Sequence, residues 1–251
     1  MITVAMYCHN FQRRLCWDLS SILQRTGDVP VYVRVAHLTG SGSPTTEATA
    51  SPFVRAGMPL ARFWWNPADA EEFQHRGLTR TSILRMSVEL GSEWLLFTDC
   101  DMVYHPEYWT RLAAELEKRP EFPGILVAGR MSQDDPAPAS ELVDSLEYPC
   151  IVPDAWERAK HLRHVRRSAV GAGYFQLINV RHCPHGGYYS AKPEDHPWQS
   201  GKYWRTKSDH RFRRRIGNVE RLPLWFTRNA VHLSHVRDNQ TADKRHTEEQ
   251  R

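Results

Sequence analysis

The chain has 251 residues, 41% hydrophobic and 25% charged, with a formal net charge of +4, an ordinary composition for a globular protein with a sizeable core. Its five scattered cysteines lack CxxC spacing, which argues against a disulfide framework. The sequence has no secretory signal pattern and no run of 18 apolar residues. We therefore expect a reduced, cytoplasmic protein without a transmembrane segment.

In the first half of the chain, predicted strands and helices alternate. Strands are predicted at residues 2–7, 31–38, 59–65 and 94–98, helices at 13–25, 79–90 and 106–118, and a mobile loop at 40–52. This alternation predicts the α/β class, with a doubly wound, mostly parallel sheet and helices on both faces in a single domain.

Beyond residue 130 the pattern loosens. The predictions there are a loop at 134–140, a helix at 141–167, a strand at 171–180, a long aromatic loop at 182–204, a short helix at 208–217 and a strand at 230–235. We divide the chain into residues 1–130, residues 131–237 and a charged tail, 238–251, which we expect to be disordered.

Charge is distributed unevenly along the chain. Between Arg158 and Arg221 there are fifteen lysines and arginines but four acidic residues, a surplus of eleven positive charges. This surplus suggests an anionic partner for the second half, and a solvated basic face is the alternative.

Two carboxylates follow the most apolar predicted strand, WLLFT. Asp99 and Asp101 are one residue apart at its carboxyl end, the edge at which open α/β sheets bind ligands. Two carboxylates there can hold a hard divalent ion and leave coordination positions for phosphate oxygens. Capping of the following turn or helix is the alternative interpretation.

The segment EWLLFTDCDMVYHPEYW resembles the strand and DxD motif of GT-A fold glycosyltransferases, especially the family-two inverting group. Upstream, Arg80 matches the arginine of the family's helix, whereas Thr81 replaces the usual Asn. Downstream, GAGYFQLINV resembles the acceptor-side strand, and SDHRFRRRIG resembles the EDxxFxxRxG helix with Ser208 in place of Glu. VHLSH is similar to the C-terminal histidine motif, so the resemblance runs from about Met1 to His235.

The resemblance implies roles for individual residues around a nucleotide-sugar donor, with a UDP-sugar as the first choice. Asp101 is the expected ligand of Mn²⁺ or Mg²⁺, Asp99 would serve the ribose or the metal, and one of His232 and His235 would complete the metal shell. Because residues three apart on a strand face opposite ways, only one histidine is expected to bind. The expected donor-binding residues are Asn10, Arg13, Arg80 and Asp99.

Inversion requires a base that deprotonates the acceptor hydroxyl. Asp209 is the candidate, with Glu194 and Asp195 as rivals, and a helix N-cap is the alternative role for Asp209.

The second half is expected to bind the acceptor. The candidate acceptor-binding residues are Gln176, Trp198, Trp204, Arg211 and Arg214. Basic residues interleaved with aromatic ones suit a nucleic-acid groove, so the acceptor is either a hydroxymethylated base in DNA or a saccharide or lipid-linked glycan. A metal-dependent nuclease or nucleotidyltransferase and a non-enzymatic nucleic-acid-binding module remain as alternatives.

Overall fold

The computed structural model describes residues 1–40, 42, 44–66, 76–133, 135–163, 175–182, 212–213 and 216–234. In these residues a seven-stranded sheet has the strand order β3-β2-β1-β4-β7-β6-β8, and β5 and β9 form a second, two-stranded sheet. The strands are β1 (Ile2–Tyr7), β2 (Val31–Leu38), β3 (Leu60–Trp65), β4 (Trp94–Asp99), β5 (Met102–Tyr104), β6 (Ile125–Val127), β7 (Phe175–Asn179), β8 (Val219–Arg221) and β9 (Ala230–His232).

Helices connect these strands. They are α1 (Gln12–Leu23), α2 (Thr46–Arg55), α3 (Arg76–Glu89), α4 (Tyr108–Glu117), α5 (Ala137–Asp144), α6 (Ala155–Ala159) and α7 (Leu224–Arg228), with a 3₁₀ turn at Lys160–Arg163. The four strands β3, β2, β1 and β4 pair in parallel, and β7 pairs antiparallel with both β4 and β6. The predicted α/β class with a mostly parallel sheet is confirmed.

The large sheet separates two hydrophobic clusters, because successive strand residues point to opposite faces. Along β4, Leu96 and Cys100 belong to the larger cluster, which also contains the buried side of α1. Leu95 and Phe97 belong to the smaller cluster on the other face, which α3 covers through Ile83 and Leu84. Asp99 continues the Leu95–Phe97 alternation, so it follows the strand on the α3 face.

The short β5–β9 ladder begins where the large sheet ends. β5 starts three residues after the last residue of β4, and Met102 pairs with His232. Tyr104 fixes β5 to the larger cluster: its hydroxyl lies 2.7 Å from the Thr98 hydroxyl, and its backbone N–H donates to Ser21 Oγ on α1. The ladder therefore brings the end of the described chain beside the end of β4.

The predicted loop at 40–52 is wrong for its second part, because α2 begins at Thr46. The Thr45 hydroxyl accepts the Ala48 N–H as an N-cap, and Glu47 lies in the first turn, where the helix dipole favours a negative charge. The polar composition concealed these capping signals.

The predicted loop at 134–140 and helix at 141–167 are also wrong in detail. Helix α5 begins at Ala137, and the chain then passes through a cis Tyr148–Pro149 peptide before the short α6. The predictions for residues 182–204, for most of 208–217 and for the tail lie largely or wholly outside the described residues. No helix in the described ranges is both long and apolar enough to cross a membrane.

Candidate active site

Asp99 and Asp101 end up in different environments although one residue separates them. The Asp101 residue is 4% exposed and lies in the turn between β4 and β5, whereas the Asp99 side chain is 37% exposed. The Asp101 carbonyl accepts the Leu233 N–H at 2.8 Å, which ties this turn to the residue after β9. The two acids are therefore equipped for different roles.

His232 contacts Asp101 directly. Its Nε2 lies 3.0 Å from Asp101 Oδ2, and both side chains are buried. Antiparallel pairing with Met102 sets the position of His232, and its backbone N–H donates to the Met131 carbonyl at 2.8 Å. The expected ligands were Asp101 and one of His232 and His235, and the structure brings Asp101 and His232 together across 131 residues.

This pair fits a divalent ion in its donor chemistry and spacing. Asp101 Oδ2 and His232 Nε2 are 3.0 Å apart, a hydrogen-bond distance that is also close to the roughly 3 Å between two adjacent ligands of an octahedral ion. The described residues contain no group of three His, Cys, Asp or Glu side chains that could hold an ion. An ion of the Mg²⁺ type commonly uses one or two protein ligands together with substrate phosphates and water, so two ligands suffice.

Asp18 is a third carboxyl near this pair, and the sequence analysis missed it. It lies on the buried face of α1 and is 0% exposed. Burial raises the pKa of Asp18 well above its ordinary range, the negative charge of Asp101 raises it further, and the Met102 backbone amide opposes both. The charged form of Asp18 is therefore disfavoured while Asp101 is ionised.

Arg130 is a second residue that sequence reasoning missed. It follows β6, and its Nη1 donates to Asp99 Oδ2 at 2.7 Å. The same nitrogen lies 3.8 Å from Met102 Sδ. Asp99 therefore faces a guanidinium from a neighbouring part of the sheet, a contact that no local motif could reveal.

A cavity of about 200 Å³ opens at the carboxyl end of β1. It is lined by Asn10, Phe11, Gln12, Arg13, Arg14 and Gly42. A Cβ at Gly42 would lie 2.2 Å from the Gln12 amide, and the φ of Gly42 is +89°, so the closure of this loop over Gln12 requires glycine. The cavity thus combines the first turn of α1 with two of the predicted donor residues, Asn10 and Arg13.

Arg14 connects this cavity to Asp101. Its Nε donates to the Leu233 carbonyl at 3.2 Å, and its Nη2 donates to Ser140 Oγ at 3.2 Å. Burial lowers the pKa of Arg14, and the charge of Asp101 opposes that change most strongly. Arg14 therefore holds the residue after His232 while lying within electrostatic range of Asp101.

Arg80 and Gln176 lie on the α3 face of the sheet. The Arg80 guanidinium is centred 5.6 Å from the Phe97 ring, two residues before Asp99. Gln176 pairs with Phe97 in the β4–β7 register and is 0% exposed. Neither amide atom of Gln176 has a hydrogen-bond partner within the described part of the chain.

Several predicted residues lie outside the described residues. These are Asp209, His235, Trp198, Trp204, Arg211, Arg214 and the rival bases Glu194 and Asp195. Phe212, three residues after Asp209, is fully buried in the cluster on the α3 face. Asp135 accepts the Ala137 N–H at the start of α5.

Comparison of the structure with solved structures finds similar folds at low sequence identity. The crystal structure of S. aureus TarS aligns over 96% of this chain and 38% of its own, with a TM-score of 0.56 and 12% identity. The structure of S. aureus TarS 1–349 in complex with UDP aligns over 96% of this chain and 62% of its own, with a TM-score of 0.53 and 12% identity. A weaker match is the galactosyltransferase LgtC in complex with donor and acceptor sugar analogs, with a TM-score of 0.39, 13% identity and coverage of 72% and 58%.

The chain has a GT-A-like fold, which it shares with the TarS structures. It spans less than two fifths of the complete TarS structure that it matches. No protein-family model matches the chain, and no curated protein matches its sequence. The comparisons therefore show the fold, and the activity has to be argued from the site.

Proposed function

We propose that this chain is a metal-dependent glycosyltransferase that moves a sugar from a nucleotide-sugar donor to an acceptor hydroxyl with inversion. The observation that carries the proposal is the buried Asp101–His232 contact of 3.0 Å at the carboxyl edge of a GT-A-like sheet. The cavity at the start of α1 lies at the end of the adjacent parallel strand. Ligands of open α/β sheets bind at this edge.

The donor fits the charge and shape of this edge. The first turn of α1 presents backbone N–H groups and the positive end of the helix dipole, which favour a phosphate. Arg13 lines the cavity, and its Nη1 donates to Asp144 Oδ1 on α5 at 3.0 Å. We assign Asn10, Arg13 and Arg80 to donor binding, with a UDP-sugar as the first candidate because a matched structure, TarS 1–349, is a complex with UDP.

Asp101 and His232 would hold the divalent ion, either Mn²⁺ or Mg²⁺, and His235 is the remaining histidine candidate. When bound, the ion supplies positive charge next to the diphosphate that leaves with the nucleoside. Because the Asp101 and His232 side chains are both buried, their interaction with the charge of a bound ion would be stronger than at an exposed position.

The transfer step is a single displacement at the anomeric carbon. The acceptor oxygen forms the new bond to this carbon as the bond to the diphosphate oxygen breaks, and the electron pair leaves with the nucleoside diphosphate. Asp209 accepts the proton of the acceptor hydroxyl, on the side opposite the leaving group. This geometry gives inversion.

Two acceptor classes fit the second half of the chain. The positive surplus between Arg158 and Arg221 favours an anionic acceptor such as DNA with a hydroxymethylated base, and a saccharide or lipid-linked glycan is the other class. Gln176, Trp198, Trp204, Arg211 and Arg214 are assigned to acceptor binding. Gln176 brings a buried amide whose polar atoms lack partners in the described residues.

The proposal is tested by donor turnover. Purified protein is incubated with Mn²⁺ and a panel of UDP-, GDP- and CDP-sugars, with and without hydroxymethylated DNA or saccharide acceptors. Released nucleoside diphosphate is quantified, and mass spectrometry detects the sugar gained by each acceptor. The matched variants are Asp101→Asn, which keeps the size of the side chain, and Glu220→Gln, which removes an exposed acid at the opposite edge of the sheet.

We expect Mn²⁺-dependent release of diphosphate from one donor class, lost in Asp101→Asn and retained in Glu220→Gln. A mass gain on DNA alone assigns a DNA acceptor, and a gain on saccharides alone assigns a glycan. Failure of every donor to bind or react in the presence of Mn²⁺ would refute the glycosyltransferase proposal.

A further inference from the structure

The half-buried acid of the DxD motif, Asp99, contacts an arginine and not the histidine. Arg130 Nη1 lies 2.7 Å from Asp99 Oδ2, while Asp101 contacts His232. The Arg130 and Asp99 side chains are 17% and 37% exposed, whereas those of His232 and Asp101 are 11% and 6% exposed. The carboxyl edge of the sheet therefore has a buried Asp101–His232 contact and a less buried Arg130–Asp99 ion pair.

The backbone holds Arg130 at this position. The N–H of the next residue, Met131, donates to the Ala230 carbonyl at 2.8 Å, and its carbonyl accepts the His232 N–H at 2.8 Å. Met131 thus holds the backbone next to Arg130 and also binds the backbone of His232. The backbone next to Arg130 is therefore hydrogen-bonded to the strand that carries His232.

A diphosphate at this edge would share the Arg130 guanidinium with Asp99, because a guanidinium has five N–H donors and the contact with Asp99 is made through Nη1. A carboxylate offers one negative charge, whereas a diphosphate offers more charge and oxygen atoms that match the planar guanidinium fork in a bidentate contact. Because the pair is partly exposed, the ligand can reach it without opening the core. A guanidinium already held by a carboxylate is also preoriented, which lowers the entropic cost of binding.

We propose that Arg130 binds the diphosphate of the donor, and that Asp99 positions the guanidinium for this contact instead of binding the metal. This inference rests on the proposed function, since it names a residue that recognises the donor. It divides the DxD motif between two cations: Asp101 serves the metal ion, and Asp99 serves Arg130. The diphosphate would lie between the two.

A matched control exists at the other end of β6. Arg119 precedes the strand and contacts Glu220 at 2.7 Å, with side-chain exposures of 21% and 41%. This ion pair has the same length as the Arg130–Asp99 pair and nearly the same exposure, but it lies at the amino edge of the sheet. Arg119→Met therefore removes an ion pair of similar length and exposure away from the proposed donor, together with the contact of Arg119 with Glu115.

The experiment measures binding by calorimetry with UDP, UMP, GDP and GMP in the presence of Mn²⁺, and with Mn²⁺ alone. The variants are Arg130→Met, Arg130→Lys, Asp99→Asn, Asp101→Asn and Arg119→Met. Thermal unfolding of each variant checks that it is folded. Arg130→Lys keeps the positive charge but removes the fork, so it provides a second test if Arg130→Met unfolds.

We expect Arg130→Met to weaken nucleoside diphosphate binding by about 10- to 100-fold, the range for loss of a charge-assisted contact. Monophosphate binding should change by a smaller factor, and the affinity for Mn²⁺ alone should be kept. Arg130→Lys and Asp99→Asn should show intermediate losses with the same preference for the diphosphate, and Arg119→Met should bind as the wild type does.

Two results would overturn the inference and leave the proposed function standing. One is wild-type diphosphate affinity in a folded Arg130→Met variant. The other is an equal loss of Mn²⁺ binding in Asp99→Asn and Asp101→Asn, which would make Asp99 a metal ligand. A wild-type protein that binds neither UDP nor GDP with Mn²⁺ would refute the inference and its basis together.

Discussion

Two ion pairs near opposite ends of β6 have the same length but different surroundings. Both Arg130–Asp99 and Arg119–Glu220 span 2.7 Å, and both join an arginine near β6 to an acid on another strand. Arg119 also donates to Glu115 Oε2 at 2.8 Å, one turn earlier on the chain. Hydrogen bonds with Glu220 and Glu115 raise the pKa of Arg119, so this guanidinium belongs to a surface network.

Arg130 contacts Asp99, which is two residues from the buried Asp101. The buried Asp101–His232 contact lies on one side, and Asp18 is buried within electrostatic range of both acids of the DxD motif. A surface ion pair contributes little to stability, so the length of such a pair reveals nothing about its role. Buried acids near Asp99, namely Asp101 and Asp18, distinguish the carboxyl edge from the amino edge, whereas the lengths of the two ion pairs do not.

The largest expected difference between the two edges is catalytic. Asp101→Asn should lower donor turnover by about 10²- to 10³-fold, because the charge that supports the ion and the leaving diphosphate is lost. Glu220→Gln should leave turnover within about twofold, the small effect expected at a surface ion pair. Released diphosphate measures both, and equal effects of the two substitutions would break the comparison.

A smaller effect is expected for the metal. His232→Gln should weaken Mn²⁺ binding by about 10- to 100-fold, since the imidazole next to Asp101 is removed. His161→Gln, at an exposed position of the 3₁₀ turn, is the control and should bind Mn²⁺ normally. Calorimetry with Mn²⁺ checks this, and unchanged affinity in His232→Gln would remove the histidine from the ion site.

Asp18 gives a prediction on stability and pH. Its folded-state pKa is raised, chiefly by burial, so the wild type loses stability as the pH rises from the unfolded pKa of about 3.9 towards the folded pKa. Asp18→Asn resembles the protonated acid and lacks this penalty. Its melting temperature should exceed that of the wild type by several degrees at about pH 8, and the difference should vanish below about pH 4.

Thermal scans over this pH range measure the effect, with the exposed Asp28→Asn as the control. A stability difference for Asp18→Asn that does not vary with pH would contradict the raised pKa. Lower donor turnover in this more stable variant would indicate that the charge of Asp18 contributes to the site.

The smallest effect concerns the control pair itself. A double-mutant cycle on Arg119 and Glu220 should give a coupling free energy of about 0.2–1 kcal/mol, which high salt reduces. Urea unfolding of the wild type, Arg119→Met, Glu220→Gln and the double variant measures it. A coupling of several kcal/mol would show that the amino edge is not an ordinary surface and would disqualify Arg119 as a control.

Local sequence predicted the parts of the site that follow strands. Asp99 and Asp101 were predicted from the apolar run before them, and the resemblance implied His232, which the structure brings to Asp101. The β4 prediction was confirmed because a buried parallel strand is a continuous apolar run. The start of α2 was not predicted because its residues are mostly polar and show no hydrophobic residues at helical spacing, although Thr45 and Glu47 are capping signals.

Long-range pairing set what the sequence could not reveal. Arg130 reaches Asp99 only because β6 lies two strands from β4 in the sheet order, with β7 between them. Asp18 reads as a polar interruption of an amphipathic helix, and it is buried because β5 packs against that face of α1. Strand order and helix docking are properties of the whole fold, so neither contact has a local signature.

The most direct test of the account is the binding of intact UDP- and GDP-sugars, measured by calorimetry with Mn²⁺ and again with a chelator. We expect saturable binding of one donor class that requires Mn²⁺ and is lost in Asp101→Asn but kept in Glu220→Gln. Binding of the same strength in Asp101→Asn, or no binding of any nucleotide sugar with Mn²⁺ present, would contradict it.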